Sequence, residues 1–394
     1  MYQPMRLCTW FFVLGWIMIQ AVAAETNSAP RIEAPSPELV TRLDLDDDFY
    51  RKWLDADGLP ILASRNVSDF ALFEAKWIVD RMLHGRDDLR RAIVSKPIRL
   101  VIMSPTEMTT DVPKHSDLTP AAYWDQRARG LGATDQRPAV SAGEENLLEY
   151  SGDPYREENI LVHEFAHVIH RYGLAALDPN FDDELQQLFD QARSEKLWKG
   201  KYAGTNPSEY FAESVQSWFG TNRENDSEHN HVDTREELQQ YDPRMGELLT
   251  AIFGENNWTY LAPSKRISEI DHLKRFDRAT APVFRWPAKV SEAFESHRNS
   301  HPRLENHLAD DWSDRRSERN ANEVIVTFRN QTSEAITVYW VDFEGQRQPY
   351  GVVDPGREKR QGTFEGHRWE LESESGHLLG RFVATTADSV AEVE

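Results

Sequence analysis

A chain of 394 residues, 39% hydrophobic and carrying 12 Trp, 12 Tyr and 18 Phe, is long enough for two folded units and can build a core for each. Its net charge of −21 argues against a nucleic-acid binder, which needs a basic footprint to release counterions, and equally against adhesion to an anionic membrane. The acidity reads first as solubility.

Residues 1–24 read as a secretory signal peptide. Arg6 is the only charge before the apolar run Thr9–Ile19, and Ala21-Val22-Ala23-Ala24 supplies the small residues that cleavage needs. Gln20 and those small residues favour cleavage over an uncleaved membrane anchor. A secreted or periplasmic location follows. The only cysteine, Cys8, lies inside this segment, so the mature chain is expected to have neither a disulfide nor a Cys-ligated metal.

Residues 25–40 are rich in Pro, Ser and Glu and read as a linker. A first domain is expected over 41–261. Within it, Ala71–Leu83 has helical spacing and Ile98–Met103 reads as a buried strand. Residues 124–150 read as loops with room for a strand or two. Helices are expected over Ile160–Tyr172, stopped by Gly173, and over Phe181–Leu197. A third is capped by Asn206, with Pro207 in its first turn, and is closed by Gly220. A short one covers Arg244–Phe253. Residues 262–322 turn polar and read as a linker. Over 323–386 the period changes: Val324–Phe328, Ile336–Phe343, Arg368–Leu371 and Leu378–Val383 are β-rich, with turn signals at Glu344-Gly345, Asp354-Pro355-Gly356 and Glu365-Gly366. The expected class is α+β: a mainly helical domain followed by a small all-β sandwich.

The chemistry concentrates in His163-Glu164-Phe165-Ala166-His167. On a helix, i and i+4 share a face, so two imidazoles can take adjacent corners of a zinc tetrahedron. Glu164 beside the first ligand can take a proton from water as general base. Zinc is the expected metal. A catalytic site needs a third protein ligand and an open fourth position. His170, Asp182 and Asp183 are candidates, but Glu209 and Glu213, again i and i+4, are better placed. One can bind the metal while the other bonds a ligand imidazole from behind.

The helix His163–His167, the segment Tyr202-Ala203-Gly204-Thr205-Asn206 and Glu209-Tyr210-Phe211-Ala212-Glu213 together resemble the catalytic domain of anthrax lethal factor and its relatives, which are gluzincin metallopeptidases. The resemblance spans Asn159–Phe219. It implies a zincin-like fold, His163, His167 and Glu209 as zinc ligands, Glu164 as base, Glu213 behind the ligands, and Tyr202 as donor to the oxyanion. Residues 323–384 resemble the von Hippel–Lindau β domain, carried by Val326–Asn330, Val338–Gly345, Gln348-Pro349-Tyr350, Pro355-Gly356 and Thr363–Trp369. That family's sandwich binds a hydroxyproline-bearing peptide. The matching pocket positions here are Tyr350, Thr363, His367 and Trp369, with Gly362 in place of a pocket histidine. The expected function is an exported zinc metallopeptidase, with a peptide or protein substrate and a β domain that binds peptide or protein. The alternative is a degenerate zincin scaffold that adheres to another exported protein through the β domain. A third reading is a zinc hydrolase acting on a non-peptide amide.

Overall fold

The structure is a computed structural model that describes residues 30–226, 228–254, 256–266, 272–309, 312, 316–320 and 322–394. The signal segment 1–24 lies outside the described residues. Helix α1 (Pro37–Leu43) begins on Ser36, whose hydroxyl accepts from the Leu39 N–H. Just before it, Glu33 bonds the backbone of Trp53 at 2.7 and 3.0 Å. The stretch read as a linker is therefore attached over 33–40, because Leu39 and Leu43 are apolar enough to be buried.

Strands β1 (Lys52–Ala56) and β2 (Leu59–Ala63) form a hairpin around Asp57-Gly58, both at positive φ. Helices α2 (Asp69–Met82) and α3 (Asp87–Val94) follow, then β3 (Arg99–Met103). Helix α4 (Ala121–Arg127) leads into the two-residue strand β4 (Gly130–Leu131) and β5 (Ala139–Gly143). The five strands form one mixed sheet in the order β1-β2-β3-β5-β4, with β4 at its edge. Every residue of β3 is buried, as expected for a central strand covered on both faces. Leu62, Val101 and Ala139 pack against α1, whereas Ile61, Leu100, Ile102 and Val140 enter the main core. The domain thus rests on a sheet that the expectation of a mainly helical unit understated.

After β5 come α5 (Glu144–Leu147) and α6 (Ile160–Val168), which pack on the sheet, then α7 (Ala175–Leu177), α8 (Phe181–Ser194), α9 (Pro207–Phe219), α10 (Arg235–Tyr241) and α11 (Pro243–Phe253), with α9 packed on α6 and touched by α8, α10 and α11. Asn159 caps α6 and Asn206 caps α9. Gly220, at φ 68°, closes α9. The expected stop at Gly173 does not occur: Ile169–Leu174 continues as a π-helical segment into α7. Gly173 serves packing instead, since a Cβ there would stand 3.0 Å from Leu89 Cδ2 of α3.

The region read as a polar linker carries α12 (Ala288–Ser300), which packs on α4. Phe284 and Val290 close a small core with Met108, so a few apolar residues suffice to fix this stretch. The C-terminal module has β6 (Glu323–Asn330), β7 (Ile336–Val341), β8 (Arg347–Val353), β9 (Glu358–Phe364), β10 (Arg368–Ser373), β11 (Leu378–Val383) and β12 (Ser389–Val393). They form a four-stranded sheet β11-β10-β7-β8 and a three-stranded sheet β12-β6-β9, around Val326, Phe328, Val338, Trp369, Leu371 and Phe382. Strands β6 and β12 run parallel. The fold is α+β. Among the described residues, no helix is long and apolar enough to cross a membrane.

Candidate metal centre

Helices α6 and α9 pack together and bring three predicted ligand atoms into one triangle. His163 Nε2 lies 3.1 Å from Glu209 Oε2 and 3.2 Å from His167 Nε2, and His167 Nε2 lies 3.5 Å from Glu209 Oε2. The edge of a zinc tetrahedron with N and O ligands is about 3.3–3.4 Å, so these three atoms fit three of its corners.

The hydrogen bonds behind the rings set the electronics. The Gln216 amide nitrogen faces Glu158 Oε2 and the Asn159 carbonyl, each at 3.4 Å, which leaves its oxygen to accept from His163 Nδ1 at 2.8 Å. With the proton on Nδ1, the Nε2 lone pair of His163 points at the Glu209 carboxylate. Two electron-rich atoms at 3.1 Å repel unless a cation sits between them. A proton or a metal ion can fill that role. The titration of the group follows the same logic. Burial opposes charge on His163, but hydrogen bonds with Glu209 and Glu213 outweigh it and raise its pKa well above the usual value. Burial pushes the Glu209 carboxyl up, but His163 and His167 hold it well below the carboxylate range.

Glu213 stands behind the ligands. Its Oε1 is 3.4 Å from His163 Nδ1 and its Oε2 is 3.2 Å from His229 Nε2. His229 Nδ1 in turn meets Asp226 at 2.9 Å. His167 Nδ1 meets Ser208 Oγ at 2.9 Å. His170 turns away to Asp182, at 2.8 Å, so neither residue joins the triangle. Sequence reasoning did not find Gln216, Ser208 or His229. The first two sit on α9 itself, one helix turn from Glu213 and one residue before Glu209 respectively, and that spacing was the available signal.

A crevice of about 230 Å³ opens beside the triangle, lined by Arg127, Leu131, Tyr155, Glu164 and Tyr202 among others. Glu164 faces it, with its carboxyl pKa raised by burial against the lowering effect of His163 and His167. The Tyr202 ring stacks on His163 at 6.2 Å. Burial and the Glu209 charge keep its phenol protonated far above the usual range. The outer edge of β4 borders the same crevice.

The β module has a second pocket, of about 500 Å³. Trp340, Tyr350, Thr363, His367 and Trp369 line it, and Thr205 of the helical domain forms part of its wall. All four predicted pocket residues are thus brought together. Thr363 Oγ1 bonds His367 Nδ1 at 2.9 Å, and Tyr350 meets the Trp369 ring edge-on at 5.2 Å. Among the described residues, the buried indole N–H groups of Trp340 and Trp369 have no hydrogen-bond partner. A Cβ on Gly362 would meet nothing within 4 Å among the described residues.

No curated protein matches the chain. The family described as VHL beta domain matches residues 315–377, so the C-terminal β module is similar to that domain.

Proposed function

We propose that the chain is an exported zinc metallopeptidase whose β module binds peptide or protein. The observation that carries this reading is the triangle of His163, His167 and Glu209, whose lone pairs converge at the spacing a tetrahedral ion needs. Zinc held by His163, His167 and Glu209 would supply Lewis acidity toward water and a carbonyl oxygen. The chain's own groups supply the rest of a hydrolysis. Glu164, with its raised pKa, takes a proton from the water as the water oxygen bonds the carbonyl carbon, and then gives that proton to the amine nitrogen as the C–N bond breaks. The protonated Tyr202 hydroxyl can donate to the oxygen that gains charge. The free edge of β4 can take an extended substrate as an added strand.

In the β module, two indole donors without a partner among the described residues and the Thr363–His367 pair support a pocket for a peptide with hydrogen-bond acceptors. Metal analysis with a Glu209→Ala control, beside casein hydrolysis by the Glu164→Gln variant, tests the proposal. One zinc per chain, lost in Glu209→Ala, and activity lost in Glu164→Gln with zinc retained, are the expected results. A metal-free wild-type protein would refute the peptidase and leave the β module as the site of function.

A further inference from the structure

The arginines around the metal crevice differ in how their charge is met. Arg223 is paired with Glu158, Asp226 and Glu228, at 3.0, 3.2 and 3.3 Å. Arg129 is buried on Glu145. Arg127 is not paired in this way. It ends α4, lines the crevice with Glu164 and Tyr202, and has no carboxylate within ion-pair distance among the described residues. Its guanidinium stands 5.7 Å from the Trp124 ring and 6.0 Å from the Tyr123 ring. The backbone carbonyl of Arg127 accepts from the Tyr155 hydroxyl at 2.6 Å, which fixes the end of the helix. On the same Tyr123 ring lies Arg360 of β9, at 4.1 Å, which has no ion pair among the described residues. In a chain with 66 acidic and 45 basic residues, two arginines at one aromatic ring, neither in an ion pair among the described residues, leave positive charge available at the Arg127 end of the crevice.

We infer that Arg127, flanked by Arg360, forms an anion subsite of the crevice and receives a carboxylate of the bound peptide. The inference rests on the peptidase reading. A guanidinium fork matches the two oxygens of a carboxylate and, held on an aromatic ring, loses little freedom when it binds. That carboxylate is either an acidic side chain near the scissile bond or the free C-terminus. The first makes the enzyme selective for acidic peptides, the second for peptide ends.

Both sources are resolved by one binding experiment on the full-length, zinc-loaded Glu164→Gln protein, read by fluorescence anisotropy. Labelled short peptides are compared in pairs, Glu against Gln at each position and C-terminal acid against amide. We expect the anionic member of one pair to bind about tenfold more tightly, with the advantage shrinking as salt is raised. Adding Arg127→Gln should bring that pair to within about twofold, and Arg127→Lys should keep part of the preference. A preference in the Glu/Gln pairs assigns an acidic side chain, and one in the acid/amide pair assigns the C-terminus. Equal binding of all pairs, no binding of any anionic peptide, or a preference that survives Arg127→Gln overturns the inference. Should Arg127→Gln not fold, Arg127→Lys decides by the same preference. Turnover of these peptides by the unmutated enzyme is measured separately. A charge preference without zinc-dependent turnover refutes the peptidase and leaves the subsite, whereas turnover without preference does the reverse.

Discussion

Replacing Glu213 by Gln removes one charge from behind the metal triangle and little else. The side chain is 3% exposed, and its carboxylate bridges His163 and His229 while Asn222 donates to it at 3.2 Å. Gln216 still holds His163 Nδ1 at 2.8 Å, so the ring keeps its orientation. What is lost is the electrostatic support that makes the imidazole a stronger ligand. Partners of this kind are worth about 10–100-fold in metal affinity, or about 1.4–2.7 kcal/mol. At saturating zinc the same amount leaves the metal-linked stability. For a domain of this size that lowers the zinc-induced rise in Tm by about 3–11 °C. The assay is a chelator-competition titration of zinc, with calorimetric melts of the metal-free and metal-loaded proteins. Comparing the zinc-induced increment cancels the cost that Glu213→Gln imposes on His229 in both forms. Zinc affinity unchanged within about twofold would refute the reasoning, because the carboxylate would then not act on the ligand ring.

Three other outcomes are expected. Tyr202→Phe should lower kcat by about 10²–10³-fold with zinc content unchanged, read from steady-state kinetics beside metal analysis. Glu144 is 2% exposed, and burial pushes its carboxyl up to about 8. Its folded form thus binds a proton more tightly than the unfolded chain, so the associated stability is complete below the ordinary glutamate range and is lost as pH rises through 8. Urea unfolding across that window should show a decline on the order of several kcal/mol, flattened in Glu144→Gln. Gly130→Ala would place a Cβ 2.3 Å from Ile160 Cγ2 and 2.9 Å from the Ser141 carbonyl, so it should cost about 1–3 kcal/mol in denaturant unfolding.

The residues that declared themselves in the sequence act within one element. Asn206, Pro207 and Gly220 bound their helix through local hydrogen bonds and one positive φ, and they do so in the structure. His163 and His167 share a face for the same local reason. Misreadings arose where a residue answers to a distant neighbour. Gly173 looks like a helix stop but makes room for Leu89. His229 acts through Glu213, on an element far along the chain, which no spacing rule reaches. The hairpin at Asp57-Gly58 is a local signal of the same kind, a dipeptide suited to two positive φ angles. The composition of 262–322 is polar, yet Phe284 and Val290 anchor part of it.

The pairing of the last strands bears on how the β module can be cut out and handled. The matched region stops at residue 377, but β11 and β12 lie beyond it and border β10 and β6. A fragment ending there would lose Phe382, Ala391 and Val393 from its interior. It would also bare the hydrogen-bonding edges of β10 and β6, whose unpaired amides and carbonyls template pairing between molecules. Such a fragment should precipitate or form strand-exchanged oligomers, whereas one running through Val393 keeps both edges covered.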